Sequence, residues 1–141
     1  MNKELEEEKD VYSVTLLILG NELNPQNITE HLGIEPHQSW QKGEQKSFVK
    51  SDGTIQYFDS LYEWGGWKRF LPEEQKDLEL SEQLNWWCDF LRGKEAVMLS
   101  LEEKGFVLEM NCFATVVIEI PANTQRRLSD LRLNLTVSFS G

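Results

Sequence analysis

Between Leu23 and Gly43 the chain writes a helix whose two ends are both fixed by side-chain chemistry, and this stretch, LNPQNITEHLGIEPHQSWQKG, constrains the fold more than any other. Asn24 is placed to cap the start, because its side-chain oxygen can accept from a free backbone N–H. Pro25 suits the first helical position, where its missing N–H costs nothing. Leu23 precedes the cap and Ile28 sits at the fourth helical position, the spacing of a hydrophobic staple. Leu32 shares a face with Ile28. Gly33 supplies a left-handed stop, with Ile34 folding back onto Ile28. Glu35-Pro36 forbids continuation, since the residue before proline avoids helical backbone. The segment fixes a local structure and names no reaction.

Around it the pattern alternates strands and helices. Val11 to Leu19 reads as a strand with Tyr12, Val14, Leu16 and Ile18 on one face. Leu17 and Leu19 make its other face apolar too, which is the mark of a central strand. Residues 34–70 read as short strands and turns. Ser51-Asp52-Gly53 is a turn signal between Phe48-Val49 and Ile55–Phe58, predicting a hairpin polar enough to lie at a sheet edge or project from the body. Gly65-Gly66 reads as a turn between Trp64 and Trp67, leading into a strand through Phe70. Leu71 to Leu80 is an acidic connector. Ser81 opens a second helix, in which Leu84, Trp87, Cys88 and Leu91 form a core-facing stripe and Trp86 and Phe90 a second row. Lys94 to Lys104 is a further helical segment with Val97, Met98 and Leu101 inward and Gly105 as its stop.

From Phe106 to Ile120 every even position is apolar, period two without a miss. At about 3.3 Å per residue such a run would reach roughly 50 Å, long for one flat strand, so a bulge, a strong twist or fraying at one end is expected. Asn123 or Thr124 can cap a last helix with Leu128 and Leu131 inward, and Leu135, Val137 and Phe139 alternate in a closing strand. The order predicts an α+β fold: a two-layer sandwich, its sheet antiparallel or mixed, with helices packed mainly on one face. Two βαβ-type halves in a ferredoxin-like layout fit it. Residues 1–10 read as a solvated tail and residues 11–141 as a single domain.

The opening strand Tyr12–Leu16, Leu23-Asn24-Pro25, Ile28-Thr29, Leu32-Gly33-Ile34, Glu35-Pro36, Ser39-Trp40 and Lys42-Gly43 together resemble the bacterial family catalogued as domain of unknown function 4279. Trp67 and the final helix–strand pair are similar in placement. The resemblance implies a small bacterial cytosolic protein and brings no catalytic residues with it.

The formal net charge is −10 and the pI about 4.7. Such a surface repels phosphate backbones and anionic membranes and would draw basic partners inward. No apolar run approaches the roughly 20 residues a membrane span needs. The N-terminus, MNKELEEEKD, lacks the apolar core of a signal peptide, so a cytoplasmic location is expected. Cys88 and Cys112 sit on apolar stripes and do not make a disulfide framework. Neither suits a nucleophile, which needs an electropositive, open setting. His31 and His37 lack the spacing of metal signatures, so no metal site, cofactor or catalytic residue is nominated. Gly65-Gly66 and Lys42-Gly43 match no phosphate loop, and Arg126 and Arg127 read as solvated helix charge.

What remains is binding. Trp40, Trp64 and Trp67 are placed in connecting segments, where tryptophans either seal the edge of a core or anchor an interface. Glu73 and Glu74 add acidity beside them. The leading expectation is therefore a non-enzymatic protein-binding domain, with Trp40, Trp64, Trp67, Glu73 and Glu74 as binding candidates and a basic protein as partner. An acidic immunity protein that neutralises a basic toxin is its concrete form. A small-molecule or enzymatic domain with a pocket between sheet and helices is one alternative. An oligomeric module, adding strands across a homodimer through the hairpin, is another.

Overall fold

A computed structural model of the chain describes residues 13–139 except 51 and 116, so the tail expected over residues 1–10 and the place of Tyr12 on the first strand lie outside the described residues. Val14 opens the fold, just ahead of the first strand, β1 (Thr15–Gly20). Then follow α1 (Pro25–Leu32), β2 (Gln38–Trp40), β3 (Gln45–Val49), β4 (Ile55–Leu61) and β5 (Gly65–Arg69). A single 3-10 turn (Glu73–Gln75) lies in the acidic connector, ahead of α2 (Leu80–Phe90) and α3 (Glu95–Glu103). The chain closes with β6 (Val107–Ala114), α4 (Ala122–Asp130) and β7 (Asn134–Phe139).

The fold is α+β. Five strands form a mixed sheet in the order β2-β5-β1-β6-β7, with β1 at its centre, as its two apolar faces require. β5 and β6 both run antiparallel to β1, β2 runs antiparallel to β5, and β7 runs parallel to β6. Hence β1–α1–β2 and β5–α2–α3–β6 are two interleaved βαβ-type units, the ferredoxin-like order. The unit β6–α4–β7 extends it at one edge. β3 and β4 form a separate two-stranded sheet, inserted between β2 and β5.

Among the described residues the helices pack on one face of this sheet. Leu16 and Ile18 of β1, Trp67 of β5, and Leu108, Met110 and Cys112 of β6 pack against Ile28 and Leu32 of α1. Leu84, Trp87 and Cys88 of α2 and Met98 and Leu101 of α3 close the same core. α1 ends as its sequence requires: the Asn24 side chain accepts from the Gln26 N–H at 3.0 Å, and Gly33 turns left-handed at φ 71°.

Three elements depart from their sequence patterns. β6 stops at Ala114 rather than Ile120. Its last rung is Ala114 against Phe139, the end of β7, and β1 has already left the ladder at Asn111. Among the described residues the ladder ends there, although Ile118 and Ile120 still pack on the core. Gly65 and Gly66 do not form a turn; they begin β5, opposite Gly20 and Leu19. A Cβ at Gly65 would lie 2.4 Å from the Leu23 carbonyl oxygen, and one at Gly66 2.1 Å from the Trp40 ring. Both glycines answer to close approach, not to chain reversal. Finally α4 starts at Ala122 behind Pro121, so Asn123 and Thr124 lie inside its first turn and neither caps it.

Candidate interaction surface

The side of the sheet away from the helices is formed by alternate residues of the same strands. Leu17 stands between Lys68 and Glu109, and Leu19 between Gly66 and Val107. Trp40, on β2, lies opposite Gly66 on this side. Its ring occupies the space a Gly66 side chain would fill, which is why it is nearly buried although no helix covers it. Tyr62 stacks on that ring with centroids 4.5 Å apart and planes 16° from parallel. The Lys68 ammonium sits 5.7 Å from the centroid of Trp40, a cation–π distance, and burial there lowers its pKa.

This aromatic stack is the root of the β3–β4 hairpin. The Gly43 N–H donates to the Tyr62 carbonyl and the Tyr62 N–H donates to the Glu44 carbonyl, each at 2.8 Å, so the two arms leave the body together. Every residue of β4 is exposed, while Lys46 and Ser47 of β3 are half-buried and the Tyr62 hydroxyl donates to the Ser47 carbonyl. Phe48, Ile55, Tyr57, Phe58 and Leu61 are between 43% and 61% exposed. At the tip the Asp52 carboxylate accepts from the Thr54 N–H and hydroxyl, which holds its pKa below the ordinary value. Large apolar side chains gathered on a projecting hairpin are unusual on a monomer's surface, because water penalises each of them.

Of the tryptophans expected in connecting segments, Trp64 is in one. It is 45% exposed, in the bend between β4 and β5 beside the root. Trp40 belongs to β2 and helps seat the hairpin. Trp67 is a correction: it lies on β5 with 0% exposure, facing the helices, and its indole N–H donates to the Thr29 hydroxyl at 3.1 Å. A fully buried ring cannot touch a partner. Glu73 and Glu74 are exposed, but they follow the far end of β5, whereas Trp40 and Trp64 flank its beginning. The candidates therefore divide into an aromatic group at the hairpin root and a separate acidic turn, where Lys76 pairs with Glu73 at 2.8 Å.

The other chemistry-bearing residues take structural positions. His37 Nδ1 accepts from the Phe70 N–H at 2.9 Å, and the His37 ring stacks on the Phe70 ring. Burial, then the Arg69 charge, lowers the His37 pKa. His31 donates to the Asn27 carbonyl one turn back in α1. Cys88 and Cys112 are buried, and burial raises both thiol pKa values. Among the described residues no group of three His, Cys, Asp or Glu side chains gathers as metal ligands would. A shallow cleft of about 360 Å³ opens beside α4, lined in part by Glu102, Gln125, Ser129, Arg132 and Asn134. No helix among the described residues is long and apolar enough to cross a membrane.

Sequence reasoning passed over Tyr62 and the apolar side chains of β4. The alternation Ile55, Tyr57, Leu61 was present, but a strand pattern does not say whether its apolar face meets a core or water. The family model described as Domain of unknown function (DUF4279) matches residues 10–140, nearly the whole chain, and the protein belongs to that family. No curated protein and no solved structure matches it.

Proposed function

We propose that this DUF4279 domain is a non-enzymatic protein-binding domain whose contact surface is the β3–β4 hairpin with Tyr62 and Trp64 at its root, seated on Trp40, and whose partner is a basic protein. The observation that carries this reading is the set of five large apolar side chains held in water on a hairpin that contributes none of them to the core. Exposed apolar patches of this kind are the usual centres of interfaces, with aromatic residues as anchors. The net charge of −10 supports a basic partner, since complementary charge speeds encounter. In its concrete form the domain is a bacterial, cytoplasmic immunity protein that occludes a basic toxin.

The test is affinity capture with the full chain from lysate of its source organism, repeated over a salt series. A basic protein retained at low salt and released progressively as salt rises is the expected result. Recovery of no protein at low salt overturns the reading. The cleft beside α4 favours a second reading, small-molecule binding, because polar side chains and the apolar Ile120, Leu128 and Leu133 line it together. A compound library screened by thermal shift separates the two, since a true ligand stabilises by mass action.

A further inference from the structure

α3 and α4 end in the same pair of backbone bonds. After α3 the Gly105 N–H donates to the Glu102 carbonyl at 2.9 Å and the Phe106 N–H to the Leu101 carbonyl at 3.2 Å. After α4 the Arg132 N–H donates to the Ser129 carbonyl and the Leu133 N–H to the Leu128 carbonyl, each at 2.9 Å. Both stops turn left-handed, at φ 91° for Gly105 and φ 60° for Arg132. Glycine suits that backbone because it has no Cβ, and a residue with a side chain is disfavoured there. Among the described residues Arg132 is the one residue other than glycine at positive φ. Backbone held in so sparsely populated a region clusters at functional sites.

The far end of Arg132 does little for the fold. Its Nε lies 3.8 Å from a Glu102 carboxylate oxygen, too far for a hydrogen bond, and both side chains are nearly half exposed. Exposed ion pairs of this kind contribute little to stability. Neither side chain has a hydrogen-bond partner among the described residues. Both line the cleft beside α4, together with Ile120, Leu128 and Leu133. Leu128 and Leu133 are buried, so the core fixes the wall they form. The volume of about 360 Å³ stands near the lower limit for ligand sites, roughly 300–1,000 Å³, which suits a small molecule.

We infer that this cleft binds a free α-amino acid with an apolar side chain. The carboxylate pairs with the terminal nitrogens of Arg132, whose fork matches two oxygens. The ammonium pairs with Glu102, and the side chain lies against Ile120, Leu128 and Leu133. Charge selects the zwitterion over its relatives. The net charge of −10 repels a simple anion, and the Arg132 guanidinium repels a simple cation. A zwitterion carries no net charge and meets one partner of each sign. The inference rests on the second reading above, that the cleft is a small-molecule site, and is independent of the hairpin.

The experiment uses the full chain, titrated with L-leucine and L-phenylalanine and followed by the NMR amide signals of residues 128–135. Saturable shifts at millimolar concentration are the expected result. N-acetyl-L-leucine lacks the ammonium and L-leucinamide lacks the carboxylate; each is expected to bind roughly tenfold more weakly, because each loses one charge-assisted contact. Arg132→Gly relieves the left-handed backbone, so its thermal midpoint is expected to hold or rise while leucine binding falls roughly tenfold. A structural role for Arg132 would lower that midpoint. Glu102→Gln is expected to remove the preference for leucine over N-acetyl-L-leucine, and it tests the site without touching the turn. No saturable shift from either amino acid overturns the inference. So does equal binding of leucine and its two derivatives, wild-type affinity in Arg132→Gly, or an undiminished preference in Glu102→Gln. Library compounds that shift the same amides when the amino acids do not would remove only the zwitterion; no ligand of any kind there removes the small-molecule reading as well.

Discussion

The Phe70 N–H donates to His37 Nδ1, so that nitrogen must carry a lone pair and the ring must be neutral. Burial and the nearby Arg69 charge both oppose protonation, so the folded-state pKa lies below that of the unfolded chain. The sign follows: the unfolded chain takes up the proton first as pH falls. The stability contributed by His37 is complete above its unfolded pKa of about 6.5 and is lost as pH drops from there through the depressed folded value. Protection of the Phe70 amide, measured by NMR hydrogen exchange and referred to the intrinsic exchange rate at each pH, is expected to fall between about pH 7.5 and 5. A His37→Gln variant, which keeps an acceptor that does not titrate, is expected to flatten the response. At this scale the sequence was legible where the constraint is local. Asn24 and Gly33 do what their neighbours require, because a cap and a left-handed stop are decided within one turn of helix. The two glycines before Trp67 were misread for the complementary reason. Gly-Gly is equally the mark of a turn and of a close approach. Only the packed ring of Trp40 and the carbonyl of Leu23 decide between them.

Elements meet through contacts that no local pattern announces. Val14 stands just before the first paired residue of β1, and neither of its backbone polar groups has a ladder partner. The Gln83 side chain of α2 accepts from the Val14 N–H at 2.9 Å, and the Trp87 indole donates to the Val14 carbonyl at 3.1 Å. Gln83 also donates to the Leu78 carbonyl at 2.9 Å, so one buried amide ties the connector, α2 and the central strand together. The stripe of Leu84, Trp87, Cys88 and Leu91 was legible at helical period. Gln83 was not, because its partner lies 69 residues away and its polarity reads as surface. Gln83→Leu is expected to cost about 1–3 kcal/mol, since it leaves a buried N–H unpaired. Urea unfolding measures it, and an unchanged slope with a lowered midpoint would place the loss in the folded state. The long alternation after Phe106 teaches the same lesson from the other side. Period two reports that a segment can be a strand; pairing decides how much of it becomes one, and the last described pair is Ala114 with Phe139.

For the whole molecule, the division between a covered core and a projecting hairpin can be tested by removing the hairpin. Residues 45–61 leave and re-enter the body beside the bonds between Gly43, Glu44 and Tyr62, so a short Asn-Gly link can replace them without moving β2 or β5. None of the side chains named on the hairpin belongs to the core, so the thermal midpoint is expected to stay within a few degrees, the scale on which about 1 kcal/mol is felt in a domain of this size. The excised segment contains Lys46 and Lys50 against Asp52 and Asp59, so the formal net charge remains −10. That neutrality makes the deletion informative. Long-range attraction of a basic protein depends on total charge and survives, whereas close contact with the apolar side chains does not. Captured partner is therefore expected to fall sharply at moderate salt, where screening leaves contact as the main attraction, while weak, salt-sensitive retention persists at low salt. Capture unchanged at every salt concentration would assign recognition to the acidic surface, Glu73 and Glu74 included, and take it from the hairpin. A collapse of the thermal midpoint would make the hairpin part of the fold's support instead of its contact surface.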